Sequence, residues 1–168
     1  MKPMQILFAL GALCLSACAT APTPEPTPTP TPSAERSITL SRTRCFGFCP
    51  DYSVTVQGDG TVIYQGRNFV RVTGEQRATA APEDVASLFA MVERANFYAL
   101  RDEYRANISD IPSFTVTVVD GARRKSVLDY GGESVGMPHA VRELQDAIDR
   151  VAGTQRWVPG GGRTPKPE

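Results

Sequence analysis

Residues 52–65 read YSVTVQGDGTVIYQ. Tyr52, Val54 and Val56 alternate with Ser53, Thr55 and Gln57, so an extended chain places the apolar set on one face and the polar set on the other. Gly58-Asp59-Gly60 supplies residues that tolerate positive φ, and Thr61–Gln65 resumes the extended pattern. The stretch reads as a β-hairpin, which commits this part of the chain to an antiparallel sheet.

Working outward, Ser37–Ser41 (SITLS) is a short candidate strand upstream, and Phe69–Thr73 and Glu75–Thr79 are expected as two more strands about Gly74. Together these make a meander of four or five strands. Pro82 suits the first position of a helix, Glu83 and Asp84 complement its dipole, and Val85, Leu88, Phe89 and Val92 form one apolar stripe. A polar segment follows as far as Pro112. Ser113–Val119 alternates again with Phe114, Val116 and Val118 on one face, Asp120-Gly121 turns the chain, and Arg124–Tyr130 returns as a second hairpin. Pro138 opens a last helix whose stripe is Val141, Leu144, Ile148 and Val151, with Gly153 as a left-handed stop. Trp157 is placed to pack back onto the core. Two one-sided helices and a mostly antiparallel sheet satisfy each other when both helices cover one sheet face, which predicts a two-layer α+β domain over residues 36–158 with a wetter opposite face.

The segments outside that domain have their own chemistry. Residues 1–17 carry one lysine, an apolar run from Ile6 to Leu15 and then small residues, the pattern of a secretory signal too short for a permanent membrane span. Leu15-Ser16-Ala17-Cys18 resembles the lipobox of bacterial lipoprotein precursors, whose cysteine is acylated on sulfur and becomes the mature N-terminus. The resemblance implies a membrane anchor at Cys18. Ala19 stands where Asp would favour retention in the inner membrane, so it further implies the outer membrane, with the domain in the periplasm. Ordinary cleavage after Ala19, giving a soluble periplasmic chain, is the competing expectation. Residues 18–35 include APTPEPTPTPTPSAE, with proline at every second position from Pro22 to Pro32, which favours extended polyproline II over helix or sheet. At about 3.1 Å per residue it is a spacer of roughly 40 Å. Residues 159–168 are rich in Gly and Pro and are expected as a disordered tail.

Eighteen Lys and Arg balance eighteen Asp and Glu, and the signs are interspersed. A nucleic-acid partner, which needs a basic face, is not expected. No G-x-S-x-G or S-x-x-K motif accompanies the lone His139, Gly131-Gly132 lacks the Gly-Lys-Ser/Thr of a phosphate loop, and no cofactor site is evident. The acids Glu83-Asp84 and Asp102-Glu103 are accounted for by a helix start and a solvated loop.

Cys45 and Cys49 flank Phe46-Gly47-Phe48, and Gly47 with Pro50 allows a turn tight enough to join the sulfurs. In an oxidising envelope such a pair is expected as a disulfide. Its role would be to set the entry of the strand at Tyr52 and to present the two phenylalanines. Metal binding lacks a second pair of ligands. Thiol exchange prefers two intervening residues at a helix start. Both remain alternatives for Cys45 and Cys49, whereas the Cys-x-x-Cys-His of covalent haem is absent. Phe46, Phe48 and Tyr52 near the pair, and Arg123, Arg124 and Lys125 on the second hairpin, form the candidate interaction surface for an envelope protein partner.

Cys45-Phe46-Gly47-Phe48-Cys49-Pro50-Asp51-Tyr52, followed by Val54-Thr55-Val56, Gly58-Asp59-Gly60-Thr61-Val62 and Tyr64-Gln65-Gly66, resembles a bacterial family of domains of unknown function. That family has a Cys-x-Gly-x-Cys-Pro-x-Tyr opening ahead of a Gly-Asp-Gly hairpin. The resemblance implies export or lipid anchoring for a domain over roughly 37–158, and it implies no catalytic residue. The expectation is a non-enzymatic, lipid-anchored envelope binding or assembly module; the alternatives are a thiol-redox or metal-binding protein and a hydrolase with an unrecognised site, which a deep polar cleft converging on His139 and carboxylates would support.

Overall fold

The computed structural model describes residues 35–162; the expected signal segment 1–17, Cys18, all but the last residue of the expected spacer, and residues 163–168 lie outside the described residues. Seven strands form a sheet: β1 (Arg36–Arg42), β2 (Asp51–Gln57), β3 (Thr61–Asn68), β4 (Gly74–Thr79), β5 (Glu103–Arg105), β6 (Phe114–Asp120) and β7 (Arg123–Tyr130). Helix α1 (Pro82–Arg94) follows β4, and α2 (His139–Ala152) follows β7. The strand order is β4-β3-β2-β1-β6-β7-β5, antiparallel throughout except for the short parallel pairing of β5 with β7. This is the expected α+β architecture.

Strand alternation decides the layers. Ile38, Leu40, Val54, Val56, Val62, Tyr64, Val116, Val118 and Val127 point to one face and join the stripes of both helices in the hydrophobic core. Register carries the pattern across the sheet, since Leu40 lies opposite Val54 on one side and Val116 on the other. The opposite face is a hydroxyl layer: Thr39 and Thr55 are 2.9 Å apart, and Thr117 and Ser126 are 2.7 Å apart. Those cross-strand pairs satisfy polar side chains on the wetter face. Trp157 does pack inward, stacking on Tyr64 with ring centroids 4.7 Å apart.

Three expectations need correction. Phe69–Thr73 is not a strand: β3 runs on to Asn68, and Phe69, at φ 53°, turns the chain out of extended geometry. That connection is held by the carbonyl of Trp157, which accepts the N–H groups of Arg71 at 2.8 Å and Val72 at 3.3 Å. The polar segment before Pro112 contains β5, whose Tyr104 is buried between exposed Glu103 and Arg105. Pro159–Gly162, expected to begin a disordered tail, forms a 3-10 turn, with Gly160 at φ 65°.

The direction of β1 places the two ends of the domain. Arg36 pairs with Asp120 beside the turn into β7, whereas Arg42 pairs with Phe114 and Tyr52. Seven residues at about 3.3 Å each separate these ends by roughly 20 Å. Glu35, where the spacer joins, is at one end; the disulfide loop is at the other.

Candidate functional site

Between β1 and β2 the chain makes a tip. Cys45 and Cys49 are disulfide-bonded with their Cα atoms 5.5 Å apart, and Gly47 between them adopts φ 146°, a conformation other residues rarely reach. Three further ties fix the loop to the segment before β6: Thr43 N–H donates to the Ser113 carbonyl at 3.0 Å, Ser113 N–H donates to Thr43 Oγ1 at 3.0 Å, and Phe46 N–H donates to the Asp110 carbonyl at 3.4 Å. At its exit, Asp51 accepts from Arg67 Nε at 2.6 Å and from Asn68 Nδ2 at 2.9 Å, where a register shift interrupts the β2–β3 pairing. Covalent and polar ties thus leave the loop little freedom.

What the loop displays is apolar. Phe46 is 89% exposed and Phe48 87% exposed. Phe48 meets the edge of Phe69 at 5.5 Å, and Phe69 and Ile108 are themselves exposed on the two neighbouring loops. Phe69 holds a left-handed conformation that is unusual for a bulky side chain and costs roughly 1–2 kcal/mol. The contact with Phe48 gives that costly conformation a local purpose.

Tyr52 does not belong to this surface. It shares the phase of Val54 and Val56, so alternation carries it into the core, fully buried. Its hydroxyl donates to Asp149 Oδ1 at 2.6 Å, and the other carboxylate oxygen of Asp149 receives the Arg42 guanidinium. Thr154 Oγ1 donates to Asp149 Oδ1 at 3.0 Å, and the Arg42 guanidinium also lies 4.5 Å over the Phe114 ring. This buried cluster ties the end of β1 and the start of β2 to α2, directly behind the tip. Burial pushes the Tyr52 hydroxyl pKa well up, and it raises that of Asp149 against the opposing charge of Arg42 and the hydrogen bonds it accepts. Burial likewise pushes Tyr64 up to about 12.

A second buried carboxylate, Asp129, accepts from Gly132 N–H at 2.8 Å and Gln145 Nε2 at 2.9 Å, with Arg142 at 3.3 Å. None of these residues stood out as a motif. A signal was nonetheless present: Arg42 continues the Ile38, Leu40 alternation, and Gln145 and Asp149 fall four and eight residues after Val141 on the buried helix face.

The basic triplet lies at the opposite end of the sheet from the tip, and strand alternation divides it. Arg123 pairs with Asp120 at 2.8 Å and lies 4.4 Å over the Tyr98 ring. Lys125 also turns toward the helix layer, donating to the Leu100 carbonyl and Asp102 at 2.5 Å each. Arg124 alone is exposed without an ion-pair partner among the described residues. The three therefore do not join Phe46 and Phe48 in one surface.

His139 contacts Glu133 through Nδ1 at 2.7 Å and stands 3.9 Å from Glu143, out in solvent at the start of α2. No serine or cysteine nucleophile approaches it in these contacts. An open depression of about 320 Å³ lies elsewhere, among Arg36, Asp59, Pro82, Val85 and Phe89 at the spacer end. Among the described residues, no group of three or more His, Cys, Asp or Glu is arranged to hold a metal ion, and no helix is long and apolar enough to cross a membrane. The cysteine pair sits on a strand-to-strand loop, away from either helix N-terminus that would favour a thiolate.

No protein of curated function matches this chain. The family model described as "Domain of unknown function (DUF6438)" matches residues 36–152, nearly the whole folded domain, and the chain belongs to that family.

Proposed function

We propose that the chain is an exported, non-enzymatic binding module of the bacterial envelope, acylated on Cys18, held off the outer membrane by the proline-rich spacer, and presenting the Phe46/Phe48 tip in the periplasm. The observation that carries this reading is the display of two phenylalanines, 89% and 87% exposed, on a loop braced by a disulfide and three hydrogen bonds. An isolated domain gains nothing from holding such side chains in water; a surface that meets another component does. The lipobox-like Leu15-Ser16-Ala17-Cys18 and the spacer after it support the anchored placement.

Acyl labelling tests it. The chain expressed in a Gram-negative host with radiolabelled palmitate is expected to carry label, to lose it on Cys18→Ala, and to sediment with outer-membrane fractions. A photo-crosslinking residue at position 48 is expected to give adducts in whole cells, and one at Arg124 few or none. Absence of label, or equal adducts at both positions, refutes the proposal. Free sulfhydryl titrating at Cys45 and Cys49 under mild oxidising conditions would favour the thiol-redox alternative.

A further inference from the structure

We infer that the stapled tip is a lipid-contacting surface, in which Phe46, Phe48 and Phe69 enter the headgroup boundary of an anionic bilayer while Arg44 and Arg71 meet its phosphates. This deepens the binding role proposed above and rests on it.

Size and shape argue first. Phe46 and Phe48 are separated by Gly47 at the end of a protruding loop, and each is nearly as exposed as an isolated side chain. At about 200 Å² per aromatic side chain they offer on the order of 400 Å², and the partly exposed Phe69 adds roughly 90 Å². A stable protein–protein interface takes about 800 Å² from each partner, so the tip is too small to hold a second copy of the chain by itself. A convex apolar point needs no shaped counterpart when its partner is fluid. Aromatic rings at a membrane interface bury to about 5–10 Å depth.

Charge argues second. The three loops of the tip, residues 43–50, 69–73 and 106–113, contain Arg44, Arg71 and a single acid, Asp110. Neither Arg44 nor Arg71 has a carboxylate partner among the described residues, although Arg71 also donates to the Gln155 carbonyl at 2.9 Å. A basic side chain close to an anionic lipid surface strengthens binding by about fivefold. Reach argues third. At about 3.1 Å per residue, a proline-rich spacer of this length would reach roughly 40 Å, longer than the roughly 20 Å between the ends of β1. A chain anchored at Cys18 can therefore lay the domain over and touch the same bilayer with its far end. Anchoring keeps the tip near lipid at high effective concentration, so weak affinity is enough.

The test uses residues 19–168, which retain every buried core residue from Ile38 to Val158 and lack the lipid. Co-sedimentation with vesicles of phosphatidylethanolamine and phosphatidylglycerol is expected, with at least tenfold weaker partition onto phosphatidylcholine. Phe46→Ser with Phe48→Ser is expected to lose at least tenfold, and Arg44→Glu several-fold, with thermal midpoints showing that the fold is kept. Phe48→Trp places an indole at the tip, and its emission is expected to shift blue and to be quenched by brominated lipid. No sedimentation with an unshifted indole overturns the inference, as does equal partition onto neutral vesicles. Concentration-dependent dimerisation abolished by the double Phe→Ser change would overturn it in favour of self-association. The anchored role stands or falls separately, on the palmitate label and its loss in Cys18→Ala.

Discussion

Asp149→Ala is expected to be among the most damaging single changes in this domain. Arg42 is 2% exposed, and its guanidinium is neutralised by Asp149. Removing the carboxylate leaves that charge buried and uncompensated, which costs about 3–5 kcal/mol. The Tyr52 hydroxyl, also buried, loses its acceptor at 2.6 Å, adding about 1 kcal/mol or more. A domain of this size has roughly 5–15 kcal/mol of total stability, so the change consumes a large share and lowers the melting temperature on the order of 15 °C. Replacing both charges with apolar side chains, Arg42→Met with Asp149→Leu, removes the uncompensated ion and recovers most of the loss. Tyr52→Phe alone costs only about 1 kcal/mol. Urea unfolding of residues 19–168 across this set, with Arg42→Met and Asp149→Leu as the single-substitution corners of the cycle, measures the coupling. If Asp149→Ala costs under 1 kcal/mol, or if the two charge substitutions are additive, the ion pair does not organise the base of the tip.

Other outcomes follow from local geometry. Reducing Cys45–Cys49, or replacing both with alanine, opens a five-residue ring and is expected to cost about 2 kcal/mol, read as the difference between urea midpoints with and without reductant; no difference would mean that the polar ties to residues 110–113 already fix the loop. Gly66→Ala is expected to lose about 2–3 kcal/mol by overpacking, because a Cβ there would stand 2.2 Å from the Val72 carbonyl oxygen; wild-type stability in urea would show that the 69–73 connection yields. His139 is held above its ordinary 6.5 chiefly by its hydrogen bond to Glu133. A raised pKa in the folded state contributes stability that is present below 6.5 and disappears as pH rises through the folded value. As the chain's one histidine, it gives a single NMR titration curve, which should move toward 6.5 in Glu133→Gln and does not move if the contact is incidental.

Much of the fold was legible because burial and periodicity coincide. In α1 the expected stripe, Val85, Leu88, Phe89 and Val92, is the buried set, and the hairpin at 52–65 keeps its alternation into the core. What escaped is where a residue type and its environment part company. Tyr52 looked like a neighbour of Phe46 and Phe48 because it is close in sequence, yet its phase sends it into the core while they stand in solvent. Arg42 and Asp149 carry charges that a hydrophobic pattern treats as outward, and only their mutual neutralisation, across 107 residues, lets them sit inside. Phe69 resembled a strand residue because nothing in phenylalanine announces a positive φ. The three residues of β5 are too few for any period to register. Within the tip, the cysteine pair and its two phenylalanines could be read directly, whereas Phe69 and Ile108 reach it only through folding.

Because β1 runs from Arg36 to the tip and is hydrogen-bonded along its length to β2 on one side and β6 on the other, tension between those two ends acts parallel to the strand. The already extended backbone of β1 carries that pull through its own covalent bonds, so the ladders on either side need not bear it, whereas peeling an edge strand such as β4 would open its bonds in succession. A pull between Arg36 and the tip would meet the domain in its mechanically strongest direction.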